Sequence, residues 1–410
     1  MTSLNATPSA NRIHIGVFGK TNSGKSTLVN TLTGQEVSIV SDVMGTTTDP
    51  VQKAMEIYPL GPCVIIDTPG YNDTTTLGAA RTEKTIQMLE KTDIALLVMS
   101  MEEYLVTDDI GLEREWVKEI RKKNIPLLLV LNLDVDGAAG AMAIKMENAE
   151  AVLGKELGVS VHTMDATDSD EVPRLREQLA RMVPENRTEV SITGSLVGPE
   201  DTVLLVMPQD IQAPKGRLIL PQVQTIRDLL DKQCMVICVT TDQLESALQK
   251  LREAPKLIIT DSQEFKTVYE KKPKESMLTS FSVLFAAYKG DIQYYVEGAK
   301  AIESLTEQSR VLIAECCTHA PLSEDIGRVK IPRMLRKRFG EGLTIDMVSG
   351  TDYPKDLKEY DLIIQCGACM FNRSYVMSRI DRARQQQVPM TNYGVAIAHL
   401  TGILEQIVIN

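Results

Sequence analysis

Two constellations in this chain of 410 residues hold residue types whose spacing could do chemistry. The first is Gly19-Lys20-Thr21-Asn22-Ser23-Gly24-Lys25-Ser26, a G-x-x-x-x-G-K-S run set between an apolar stretch, Ile13 to Phe18, and a helical pattern, Thr27 to Leu32. Glycines at those positions let backbone N–H groups face the β- and γ-phosphates of a nucleotide at a helix N-terminus. Lys25 adds a positive charge there, and the Ser26 hydroxyl suits Mg²⁺. Gly45-Thr46-Thr47-Thr48-Asp49 and Asp67-Thr68-Pro69-Gly70 then follow in the order a nucleotide switch needs. A threonine hydroxyl joins the metal only when the γ-phosphate is present, Asp67 holds the metal through water, and the Gly70 N–H meets the γ-phosphate, so hydrolysis releases both loops. Lys25, Thr47, Asp67 and Gly70 are the expected catalytic set. Gly19, Asn22, Ser23, Gly24, Ser26 and Thr27 are expected to line the nucleotide with them.

The second constellation is Cys317-Thr318-His319 and Cys366-Gly367-Ala368-Cys369. Each group stands just beyond an apolar strand pattern, Val311 to Ala314 and Asp361 to Ile364, and strand ends in one sheet can converge. The C-x-x-C also precedes a helix, whose N-terminal dipole favours thiolates. Three thiolates and one imidazole suit either a closed tetrahedral zinc site or an iron–sulfur cluster with one atypical ligand. Seven cysteines, an odd number with four of them between positions 316 and 369, fit a metal site better than a disulfide framework. Cys63, Cys234, Cys238 and Cys316 read as buried apolar side chains.

The elements that must position these residues follow from periodicity. Through residue 185, apolar strands (Ile13 to Phe18, Val64 to Ile66, Ile94 to Met99, Leu127 to Leu131) alternate with amphipathic stretches, the rhythm of βαβ units and a mostly parallel sheet. The pattern lapses around Pro184 to Thr193. It resumes as strand Thr202 to Met207, helix Gln222 to Lys232, strand Met235 to Val239, helix Asp242 to Arg252 and strand Lys256 to Ile259. A last α/β unit carries helices around Asp291 to Glu307 and Asn372 to Gln386. The expected class is α/β, with a phosphate-binding domain at 1–185 followed by two smaller α/β domains at 190–272 and 273–410.

Composition narrows the function classes. Apolar residues at 43% and charged residues at 24% are ordinary for a folded soluble chain. The longest apolar stretches fall far short of the roughly 20 residues a bilayer span needs, so no membrane role is expected. The first eleven residues lack the basic start and apolar run of a secretory signal, so a cytoplasmic location is expected. A net charge of −11 and 4% aromatics argue against broad nucleic-acid binding.

On Gly19 to Ser26, the 45–49 segment and Asp67 to Gly70, the N-terminal region resembles the translation-factor-like GTPases that include the tRNA-modification protein MnmE and the ribosome-assembly protein Era. The resemblance implies GTP with Mg²⁺ held by Ser26, Thr47 and Asp67. It makes Thr47 the switch threonine and matches Asn22 to the asparagine that helps bind K⁺ in potassium-activated members. Tyr71 stands where Ras-like enzymes have a water-orienting glutamine, so K⁺ is the expected catalytic aid. The guanine-reading N-K-x-D is replaced by Asn132-Leu133-Asp134-Val135-Asp136, leaving Asn132 with Asp134, or Asp136 after a local shift, as base contacts, and Asp165-Ala166-Thr167 as a last base-contact loop.

The C-x-H and C-x-x-C pair, together with Ala213 to Gln224, Thr279-Ser280-Phe281-Ser282, Tyr288-Lys289-Gly290-Asp291, Asp325 to Pro332 and Asn392-Tyr393-Gly394-Val395, resembles the HydF family of FeFe-hydrogenase maturation GTPases over nearly the whole chain. That resemblance implies a dimerisation domain and a 4Fe-4S cluster on Cys317, His319, Cys366 and Cys369. It implies a scaffold that takes a di-iron H-cluster precursor from the radical-SAM maturases HydE and HydG and passes it to apo FeFe-hydrogenase. Ala320 and Gln365 stand where the family commonly has further histidines. The reading from another class is a nucleotide-switched protein with a structural zinc, acting in RNA modification or ribosome assembly.

Overall fold

The computed structural model describes residues 9–34, 51–70, 85–133, 141–183, 191–209, 218–316 and 326–409. The chain divides into two compact units, Met1–Thr188 and Glu189–Asn410. The first is built on β1 (Ile13–Gly19), β2 (Val51–Ile57), β3 (Gly61–Asp67), β4 (Ile94–Ser100), β5 (Leu127–Asn132) and β6 (Ser160–Met164). They lie in the order β2-β3-β1-β4-β5-β6. Only β2, against β3, is antiparallel.

Strands buried on both faces read as continuous apolar runs, because successive side chains alternate between two helical layers. On β4, Ile94, Leu96 and Val98 join Leu28, Val29 and Leu32 of helix Lys25–Thr33 and Leu175 and Leu179 of helix Val172–Met182. The alternate residues Ala95, Leu97 and Met99 join Trp116, Val117 and Ile120 of helix Gly111–Lys122 and Ala149 and Leu153 of helix Ala141–Leu157. The chain leaves β1 toward β3 on one side and β4 on the other. The crevice above the carboxyl end of β1 is therefore the place such sheets offer a ligand.

The second unit holds two parallel sheets. One comprises β7 (Thr202–Val206), β8 (Met235–Val239), β9 (Leu257–Thr260) and β10 (Met277–Ser280) in the order β10-β9-β7-β8. The other comprises β11 (Arg310–Ala314), β12 (Thr344–Val348), β13 (Leu362–Gln365) and β14 (Met390–Asn392) in the order β12-β11-β13-β14. One apolar core runs through both: Leu204, Ile258 and Leu278 share a cluster with Val311, Ile313 and Ile363, bridged by Val283 and Ala286 of helix Phe281–Lys289 and by Val395 and Ala396 of helix Tyr393–Leu400. The tail closes back, Val408 N–H donating to the Leu278 carbonyl at 2.8 Å. Residue 272 lies within this unit, before β10 completes the first of its sheets.

Local expectations were met unevenly. The expected helix Asp291 to Glu307 is a helix, Ile292–Ala299, running into a 3-10 segment, Lys300–Ser304. Cys63, Cys234 and Cys316 are buried as expected, whereas Cys238, on the edge strand β8, is exposed. No helix among the described residues is long and apolar enough to cross a membrane.

Candidate functional site

At the end of β1 the loop of residues 20–24 turns into helix Lys25–Thr33, whose N-cap, Gly24, carries no side-chain cap. Its first N–H groups are thus left for a ligand. Gly24 has φ +94°, and a Cβ there would lie 2.4 Å from Asn132 Nδ2. Asn22 also takes a left-handed conformation, φ 63°, which asparagine tolerates better than most residues, and it is exposed. Lys25 is buried and its ammonium donates to the Lys20 carbonyl. Burial pushes its pKa down to about 8, against the opposing pull of the Asp67 carboxylate.

Strand β3 pairs with β1 so that Asp67 stands beside Val17. Ser26 Oγ donates to Asp67 Oδ2 at 2.9 Å, and Thr68 Oγ1 donates to the Val17 carbonyl at 2.7 Å. Asp67 Oδ1 and Ser23 Oγ are buried with no hydrogen-bond partner among the described residues. Buried oxygens in that state fit a hard divalent ion and a polyphosphate as their missing partners. Gly70 closes the ring: a Cβ there would meet Thr21 Oγ1 at 2.3 Å and Thr21 N at 2.5 Å, so only glycine lets the Asp67-to-Gly70 turn approach the loop. Thr47 and Asp134 lie outside the described residues.

Asn132, expected to touch the base, is buried and spans two loops. Its Nδ2 donates to the Ser23 carbonyl at 3.4 Å and its Oδ1 accepts the Ala166 N–H at 2.9 Å. Thr31 Oγ1 adds a bond to the Ala166 carbonyl at 2.6 Å. Asp165 Oδ1 accepts from both the N–H and the hydroxyl of Thr167 at 2.7 Å, which hold its carboxyl below the usual range. The phosphate loop and the residue 165–167 loop are therefore tied together. Lys20 was not singled out by sequence. Its buried ammonium pairs with Glu103 at 2.9 Å and Glu113 at 3.2 Å, fixing the loop to the opposite helical layer, and burial raises the Glu113 pKa.

In the second unit, β11 and β13 are paired neighbours, Ala314 opposite Gln365, and the strand order reverses between them. Cys366 and Cys369 emerge at the carboxyl end of β13, both partly exposed. Cys317 and His319 lie outside the described residues. Among the described residues no three Cys, His, Asp or Glu side chains gather into a metal site. The cysteine turn nonetheless has the character of a thiolate site. Cys366 Sγ accepts the N–H of Cys316 at 3.1 Å and of Ala368 at 3.4 Å. The Cys316 thiol and these amides hold the Cys366 thiol below its ordinary pKa, against the desolvation of its sulfur by the turn. This donor set fits a thiolate-bound metal or cluster.

Two motifs without an assigned role converge on this turn. Lys289, buried, donates to the carbonyls of Ala368 at 3.1 Å, Cys369 at 3.2 Å and Phe371 at 2.9 Å. Asn392 Nδ2 donates to the Cys366 carbonyl at 3.3 Å. Ala368 sits at φ 49°, a strained place for alanine that these bonds hold. Gln365 is buried and its Nε2 donates to Tyr295 Oη at 3.1 Å.

The phosphate loop at the end of β1, the Ser26–Asp67 pair and the glycine turn against Thr21 define the first unit as a P-loop GTPase domain. Residues 14–133 match the family described as 50S ribosome-binding GTPase. Residues 192–290 match the Hydrogen maturase F dimerization domain and residues 293–409 the Hydrogen maturase F tetramerization domain. The chain belongs to the hydrogen maturase F family, HydF. It is 46% identical over 91 residues to GTPase Der of Wolinella succinogenes, covering 21% of this chain and 19% of that protein. It is 35% identical over 133 residues to the tRNA modification GTPase MnmE of Chromobacterium violaceum, covering 32% and 28%. The chain thus spans under a third of the length of these curated relatives. A crystal structure of Era with MgGDPNP and 16S ribosomal RNA nucleotides aligns over 55% of this chain and 91% of its own, at 19% identity and a TM-score of 0.36.

Proposed function

We propose that this chain is a GTP-hydrolysing scaffold and carrier that works in the cytoplasm, taking the di-iron precursor of the H-cluster from HydE and HydG and passing it to apo FeFe-hydrogenase. In the first unit Lys25 neutralises the phosphates, Ser26, Thr47 and Asp67 hold Mg²⁺, the Gly70 N–H meets the γ-phosphate and Asn22 contributes to a K⁺ site. A region at 190–272 serves self-association, and its exposed edge strand β8, with Met235 56% accessible, offers an unpaired side to a second copy. The region at 273–410 holds the 4Fe-4S cluster on Cys317, His319, Cys366 and Cys369. When bound, that cluster supplies an iron whose last ligand can exchange with cargo.

The observation that supports this reading is the pairing of β11 with β13, which sets the Cys366–Cys369 turn beside Cys316, whose N–H donates to Cys366 Sγ at 3.1 Å. Anaerobic reconstitution with iron and sulfide, followed by iron analysis, electron paramagnetic resonance and activation of apo hydrogenase, tests it. Colourless protein with stoichiometric zinc and no activation would replace the scaffold with a zinc-stabilised switch. GTP turnover should be faster in potassium than in sodium salts, and equal rates would remove the monovalent ion from the mechanism.

A further inference from the structure

Arg379 has no part in the phosphate site or in the cysteine motif, yet it is among the largest fully buried side chains, 1% exposed. It projects from helix Arg373–Gln385. A guanidinium so far from water needs an anion or acceptors matched to its donors. Nη1 donates to Cys316 Sγ at 3.3 Å, and Nη2 donates to the Gly350 carbonyl and to Tyr375 Oη at 3.4 Å. The rings of Tyr353 and Tyr375 flank it at 4.8 and 4.9 Å. Its Nε is buried without a hydrogen-bond partner, and among the described residues no carboxylate pairs with it. The interior thus keeps a positive charge held by sulfur, neutral dipoles and aromatic faces.

That charge is aimed along a short path. Arg379 binds the Cys316 sulfur, and the Cys316 N–H donates to Cys366 Sγ at 3.1 Å. Two hydrogen bonds therefore separate the guanidinium from a sulfur of the C-x-x-C turn. Three thiolates carry more negative charge than an oxidised 4Fe-4S core cancels, and one-electron reduction adds another negative charge. A fixed cation in a low-dielectric interior stabilises the more negative state more strongly. Arginine can do so without losing its proton.

We propose that Arg379 is a positioning residue that supplies a permanent counter-charge to the cysteine turn, in addition to the Lys289 ammonium, and raises the reduction potential of the cluster held there. The inference rests on the iron–sulfur reading above. Its test is a mediated redox titration of the reconstituted full-length chain, with dithionite as the electron donor and the resonance signal of the reduced cluster as the readout. Arg379→Gln should bind iron as the wild type does and show a midpoint shifted to more negative potential. Arg379→Lys, which restores the charge, should return most of the shift. Arg379→Met fills the aromatic slot without charge and takes the place of the glutamine variant if that one does not fold. A wild type that binds iron beside an uncharged variant with an unchanged midpoint overturns the proposal, as does a lysine variant shifted as far as the uncharged one. A wild type that binds no iron overturns the scaffold reading instead.

Discussion

Lys25 is buried beside Asp67 and in contact with a carbonyl, and in that place burial outweighs the carboxylate, so its pKa falls to about 8 from an ordinary value near 10.4. The sign of two pH effects follows. Between about pH 8 and the unfolded value, the unfolded chain binds more protons at this residue, so the nucleotide-free chain gains stability as pH rises through that window. Nucleotide affinity should move the opposite way, because polyphosphate prefers the ammonium. GDP binding is expected to weaken by up to roughly tenfold per unit above pH 8, with proton uptake on binding. Calorimetry in buffers of different ionisation enthalpy checks this, and a flat affinity from pH 7 to 9.5 would show that the amine keeps its proton throughout.

Elements act through the loops they hold. Asn132, the last residue of β5, bonds to the loops after β1 and β6. Losing two such bonds costs about 1–3 kcal/mol. Asn132→Ala should therefore weaken nucleotide binding about tenfold or more and lower the melting temperature of the first unit. Unchanged affinity would mean that the loops are held without it. Lys289, at the end of helix Phe281–Lys289, makes the matching brace in the second unit. Lys289→Met takes a donor from three carbonyls, of which that of Ala368 still accepts the Phe371 N–H at 3.1 Å, a loss of about 1–3 kcal/mol in all. Reconstituted protein should retain less iron per chain, while GTP hydrolysis stays at the wild-type rate. Full iron retention in this variant would show that the cysteine turn is held without Lys289.

Over the whole molecule the phosphate site lies in one compact unit and the cysteine turn in the other. Lys25→Ala is expected to abolish hydrolysis, since the charge that meets the phosphates is gone, while iron content and the cluster's resonance signal stay as in the wild type. A loss of iron in that variant would show that cluster binding depends on an intact phosphate site. The second unit is less divisible. Its two sheets share one core through helices Phe281–Lys289 and Tyr393–Leu400, so a core truncation such as Leu278→Ala should unfold both sheets in one transition.

What the sequence determined by itself is the chemistry written in short-range order. The glycine-rich run after a strand, the Asp67-to-Gly70 turn and the C-x-x-C after a buried strand are each read from spacing, because a loop's backbone needs depend on its immediate neighbours. The long apolar strands were legible for the same reason. Strands β2, β6, β10, β12 and β14, each at the edge of its sheet, were not, because such edge strands carry too little periodicity to stand out. Tertiary structure alone decided the partnerships between segments distant in sequence. Asn132 braces two loops, Lys20 pairs with Glu103 and Glu113, and Lys289 and Asn392 hold the cysteine turn. Arg379 places its buried charge two hydrogen bonds from Cys366. Lys, Arg and Asn look alike on a surface and in an interior when read one residue at a time. Only the packing that removes water from them determines which acceptor each must find.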